Sequence, residues 1–183
     1  MRWHALFADL EGQLLASDAA ELAGEVADRT RREAALVALA DRLRAGVGQE
    51  LAVHLLGGQL LRGRLLDAGR DWLLLDERGT EVLVALSAVT GISGVGDRTR
   101  TPEGEGAVAG RLDLRWALRG LARSRTGVVL ALVDGTHVTG TLDRVGADHL
   151  DVAEHGRGEP RRAAAVRQVR LVPLGVLASV RSD

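Results

Sequence analysis

Arginine is the residue type with the most chemistry to offer in this chain. All 24 basic residues are arginine, and lysine, asparagine, cysteine and tyrosine are absent. Arg111, Arg115, Arg119 and Arg123 recur at four-residue intervals, which on a helix forms a single stripe. Guanidiniums in a row can track a phosphate backbone. The competing reading is a solvated face, or pairing with the acidic N-terminal segment. Arg161 and Arg162 could extend the same positive surface. A lysine-free composition also fits a GC-rich coding sequence, so arginine by itself is no sign of phosphate binding. The net charge is −1, which gives no global attraction to nucleic acid. The charge is unevenly spread, however. Residues 108–125 hold five arginines against Asp113, residues 157–170 hold five against Glu159, and residues 1–28 hold one against six acids.

Catalytic and metal-binding patterns are missing. The five histidines (His4, His54, His137, His149 and His155) show no paired ligand spacing. Serine never sits in a nucleophile elbow. The run Gly91-Ile92-Ser93-Gly94-Val95-Gly96 is glycine-rich but opens a linker rather than a helix, so a dinucleotide loop fails its own context test. A non-enzymatic protein without cofactor or metal is expected. With no cysteine there is neither a disulfide framework nor a thiolate metal site. No apolar run approaches the roughly 20 residues that span a bilayer, and acidic residues follow Met1 too early for a signal peptide. The expected location is cytoplasmic, with no membrane partner.

The elements that must position these side chains show a repeat. Val53 to Leu65 aligns without a gap on Leu130 to Leu142, at an offset of 77 that also carries Gly69 onto Gly146 and Asp71 onto Asp148. Val84 to Ile92 aligns on Val172 to Val180 at an offset of 88, so the second copy holds 11 extra residues, an insertion at about 155–168. Leu51, Val53 and Leu55 alternate as a strand does, and so do Val128, Leu130 and Leu132. Gly57-Gly58 and Asp134-Gly135 sit between such runs as hairpin turns that need positive φ. Gly63 and Gly140 lie inside the next strand, where glycine marks a bend or a close backbone approach. Further strands at about 59–66, 71–77, 80–86 and 88–93 complete five per copy.

Residues 2–45 read as helix. Trp3, Leu6, Phe7, Leu10 and Leu14 form the stripe of a first helix, and Asp18 with Glu21 resembles a capping box that opens a second. A third helix at about 108–124 has Leu114, Leu118 and Leu121 on one face. The expected organisation is therefore a helical hairpin over 1–46, a first module over 47–93, a linker over 94–107, and a helix with the second module over 108–183.

A helix followed by five strongly bent strands, with Leu-x-x-Gly-x-x-x-x-Gly-x-Leu at Leu55–Leu65 and again at Leu132–Leu142, resembles the Sm-like family (Sm, LSm and Hfq). The resemblance covers about 47–93 and 126–181. It implies a mainly β fold with helices: two tandem Sm-like (SH3-like) five-stranded small barrels, each preceded by a helix, plus the N-terminal helical hairpin. It also implies RNA binding through a stacking aromatic near the third strand, where Trp72 and its repeat partner His149 fall. Where Hfq-type members carry a Lys-His pair, this chain has Leu86-Ser87 and Leu174-Gly175, so the usual uridine pocket is not expected. Trp72 has a second reading, as an outward-facing residue packed beneath the N-terminal helices. Two functions are expected from different classes. One is RNA or DNA binding through arginine-rich surfaces outside the family's pocket. The other is a protein-interaction or assembly scaffold, self-associating through barrel edge strands or the N-terminal helices.

Overall fold

The computed structural model of the chain describes residues 2–96, 112–159 and 161–182. From residue 97 onward the expected linker lies outside them. Residues 1–38 form one compact unit and residues 39–183 another.

The first unit is a single helix, α1 (Arg2–Ala35), of 34 residues. The two helices expected here are one, and Asp18 and Glu21 lie within it rather than at a start. A capping pair stabilises a helix only where backbone N–H groups are left without partners. In a segment rich in Ala, Leu and Glu, strong helix propensity carries the backbone through that point.

The second unit contains α2 (Leu39–Ala45), α3 (Leu114–Ser124) and an antiparallel sheet of ten strands. The first copy supplies β1 (Glu50–Leu55), β2 (Leu60–Ala68), β3 (Trp72–Glu77), β4 (Thr80–Ala85) and β5 (Val89–Ser93). The second supplies β6 (Gly127–Leu132), β7 (His137–Val145), β8 (His149–Glu154), β9 (Gln168–Pro173) and β10 (Leu177–Ser182). The order is β5-β1-β2-β3-β4-β10-β6-β7-β8-β9. The sheet is open, and neither set of five strands closes on itself. Instead β4 of the first copy pairs with β10 of the second.

The repeat holds in its strand register. Leu51 faces Gly63 as Val128 faces Gly140, and Trp72 faces Ala85 as His149 faces Pro173. Even the irregularities recur, with a bulge after Leu65 in β2 and after Leu142 in β7. Gly63 and Gly140 answer to close approach. A Cβ on Gly63 would strike the Asp76 carbonyl, and one on Gly140 the Ala153 carbonyl. At the first turn Gly57 and Gly58 both have φ of 80°, and in the second copy Gly135 has φ of 83°.

Two cores form. Leu51, Val53, Leu65, Leu73, Leu75 and Val84 belong to one, with Ala178 of β10 joining it. Leu118, Val128, Leu130, Leu142 and Leu150 belong to the other, joined by Trp72, Leu83 and Ala85 of the first copy. Strands β3 and β4 are thus covered on both faces, which is why Val82 to Ala85 is a continuous buried run. The cover over Trp72 is α3 and the second core.

Candidate nucleic-acid interface

Helix α3 begins at Leu114 with Asp113 as its cap, later than the sequence suggested. The Asp113 carboxylate accepts the Trp116 N–H at 2.9 Å, and the Asp71 carboxylate accepts the Leu114 N–H at 2.7 Å. Acidic groups at a helix N-terminus satisfy free donors and complement the dipole. Leu114 and Leu118 are buried, with Leu121 packed beside them. The opposite face carries Trp116, Arg119, Gly120 and Arg123, which three- and four-residue spacing places side by side.

At the end of the helix, Arg125 takes a left-handed conformation (φ 52°, ψ 27°) as its cap. Across from it, the bulge in β7 inserts Asp143 between Leu142 and Arg144. A bulge re-aims the side chains around it. Arg119, Arg123, Arg125 and Arg144 together line an open concavity of about 410 Å³, with Asp143 and Val145 on its wall. Asp143 is held by Arg161 through bonds of 2.5 and 2.6 Å, and this contact raises the Arg161 pKa. Arg144 lies 3.9 Å from Asp151, at the outer limit of an ion pair. Among the described residues, no carboxylate forms a salt bridge with Arg119, Arg123 or Arg125. The guanidinium charge at these three arginines thus has no ion-paired carboxylate among the described residues.

The concavity belongs to the second copy alone. At the 77-residue offset, Arg119 corresponds to Arg42, but Arg123 and Arg125 correspond to Gly46 and Gly48, and Arg144 to Asp67. The same framework in the first copy has two glycines and an acid where the second has three arginines.

The residues expected from sequence divide clearly. Arg119 and Arg123 sit on the concavity, whereas Arg111 lies outside the described residues. Arg115 is a tie rather than a free charge: its guanidinium donates to Asp113 at 2.7 and 3.0 Å and to the Ala147 carbonyl at 3.2 Å. That hydrogen bond is the main cause of the lowered Asp113 pKa, which burial opposes and the Trp116 N–H reinforces. Arg161 acts on the concavity by neutralising its one acid, and Arg162 is exposed on the turn beside it.

Trp72 is 5 % exposed, with its indole N–H donating to the Leu112 carbonyl at 3.0 Å, so its ring faces are not open to a base. His149 is half-exposed between two acids. Its Nδ1 is 2.8 Å from Asp148 and its Nε2 3.6 Å from Asp151, and the hydrogen bond lowers the Asp148 pKa. Two carboxylates there oppose a phosphate. Among the described side chains, the exposed indole is that of Trp116, at 48 %. Sequence reading misses it because a tryptophan three residues before Arg119 reads equally well as core. The deciding signal is its place on the arginine side of α3. Arg125 and Arg144 escape sequence reading because they lie beyond the helical stripe and meet it only in space.

Among the described residues no group of histidine and acidic side chains could hold a metal ion, and no helix is long and apolar enough to cross a membrane. In comparisons with known proteins, no family model and no curated protein matches the chain.

Proposed function

We propose that this is a non-enzymatic Sm-like protein, a tandem of two five-strand modules, that binds single-stranded nucleic acid, RNA first, through the exposed face of α3 and the concavity beside it. The Sm-like part of the reading is supported by the matching register of the two five-strand sets and by the glycines at their tightest approach. The binding part rests on one observation: Trp116 stands in line with Arg119 and Arg123 on the exposed face of α3, and those two arginines join Arg125 and Arg144 around a concavity whose single lining acid is already paired. Guanidiniums spaced along a helix suit a phosphate backbone, and an exposed indole offers a base a stacking platform that tolerates any sequence. Gly120 between them has open space above it, so a strand can lie close to the helix.

Fluorescence anisotropy with unstructured RNA and DNA oligomers at low salt tests this reading. The expected result is binding with little sequence preference, its logarithm falling linearly with the logarithm of salt concentration. Absence of binding to either polymer at ~50 mM salt, where non-specific electrostatics are strong, overturns it.

A further inference from the structure

The arginine surface changes character along its length. On α3, Arg119 and Arg123 stand about one turn apart on an exposed helix face, a spacing that suits successive single charges of a strand. At the end of the helix the charges converge. Arg119, Arg123, Arg125 and Arg144 come from the helix, its left-handed cap and the bulge of β7 to line one concavity of about 410 Å³. The lining carboxylate of Asp143 accepts both of its hydrogen bonds from Arg161. Arg144 leans toward Asp151 at 3.9 Å, which leaves three guanidiniums without an ion-paired carboxylate among the described residues. An internal phosphodiester brings one negative charge to such a place. A terminal phosphomonoester brings about −1.5 to −2 at neutral pH with three acceptor oxygens, and guanidinium forks take such oxygens in pairs. From this convergence, and resting on the nucleic-acid reading above, we infer that the concavity seats the terminal phosphate of a single strand, so that the protein prefers a phosphorylated end to the interior of a chain.

The backbone makes this place an end. Helix α3 stops at Ser124, Arg125 turns left-handed, and the chain enters β6, whose first residue Gly127 faces Thr141 of β7. Strand β7 runs on past Thr141 and supplies Asp143, Arg144 and Val145 as the wall. A strand laid along the exposed face of α3 meets this wall at the helix end. The cap residue points the same way. A left-handed backbone is costly for a residue with a Cβ, and the first copy has Gly48 at the corresponding position, with φ of 91°. The second copy holds an arginine there at φ of 52°, as suits a residue kept for its side chain. Trp116 lies seven residues before Arg123, about 10 Å back along the helix axis. A strand seated by its end therefore brings one of its first bases to the indole.

Anisotropy of the full chain with one unstructured RNA sequence in three forms tests the inference: 5′-phosphorylated, 3′-phosphorylated, and with hydroxyls at both ends. The two phosphorylated forms separate the two sources of a terminal phosphate. One of them is expected to bind about tenfold or more tightly than the hydroxyl form at equal salt, the scale of one added hydrogen bond to a charged group. Arg125→Gln/Arg144→Gln should erase that preference while the hydroxyl form still binds, because Trp116, Arg119 and Arg123 remain; circular dichroism checks that the variant is folded. Arg62→Gln, at an exposed position of β2, should keep the preference. Equal affinity for all three forms overturns the inference and leaves general nucleic-acid binding intact. So does an equal gain from both phosphates, which would reflect added charge alone, or a preference that survives in the double variant. Binding of none of the three forms overturns the nucleic-acid reading itself, and the inference with it.

Discussion

Leu83 and Leu171 occupy the same position of the two repeats, yet Leu83 is 6 % exposed and Leu171 65 %. Neither side-chain type nor strand position distinguishes them. The neighbour does: β4 lies mid-sheet against β10, and β9 lies at the edge. The same logic separates Trp72, covered by α3, from His149, which has no such cover and is polar.

Trp72 and Trp116 should respond oppositely to truncation. Trp72→Ala removes a buried indole and its bond to the Leu112 carbonyl, so chemical denaturation should show a loss of about 3–5 kcal/mol. Trp116→Ala should stay within about 0.5 kcal/mol in the same assay while weakening RNA binding. A destabilised Trp116 variant with normal binding would remove the stacking role.

Asp113 couples the start of α3 to Arg115, and its loss should be visible in stability and in pH. Asp113→Ala should cost about 0.5–2 kcal/mol through the lost cap. The folded carboxyl titrates below its ordinary value of 3.8. Its contribution is therefore complete above that value and is lost as pH falls through the lower folded one. The wild type and Asp113→Asn should accordingly converge in stability at acid pH and differ near neutrality. A gap that does not narrow in acid contradicts the assignment.

Gly120 and Gly140 make a paired test of the backbone argument. Gly120 is helical and exposed, with open space where an alanine methyl would stand, so Gly120→Ala should stabilise the fold by about 0.5–1 kcal/mol. Gly140→Ala drives a methyl into the Ala153 carbonyl and should destabilise by about 1–3 kcal/mol. A Gly140→Ala melt that is unchanged or raised would refute the packing described for β7 and β8.

Much of this architecture is legible from the residues, and the reasons are physical. Alternation fixes the faces of β1 and β6, and the positions of Gly57, Gly63 and Gly140 mark turns and close approaches that no other residue accommodates. The continuity of α1 is not legible, because Asp18 and Glu21 form the same local pattern inside a helix as at its start. Closed barrels are the natural expectation because strand count and bend are module properties. The choice of β10 as partner for β4 is decided by contacts about 100 residues apart in sequence, of a kind that periodicity does not encode. The arginine stripe is half of the site. Arg125 and Arg144 complete it through a left-handed cap and a bulge, two backbone features with no signature in residue spacing.

Asp143 offers a gain-of-binding test. Asp143→Asn removes the one carboxylate lining the concavity and releases Arg161, so RNA affinity should rise about threefold to tenfold at low salt, the scale of one added charge contact. Unchanged affinity would mean that the bound strand does not pass this wall.

The most direct measurement is the salt dependence of RNA affinity in Arg119→Glu/Arg123→Glu, with Arg62→Glu, an exposed arginine on β2, as the charge control. If α3 carries the phosphate backbone, the double variant should lose about tenfold or more in affinity at low salt. Its log–log salt slope should flatten by about 1.4, since each single-strand phosphate contact contributes about 0.7. The control should match the wild type in slope. A double variant with wild-type affinity and slope, or a control that falls equally, would contradict the account.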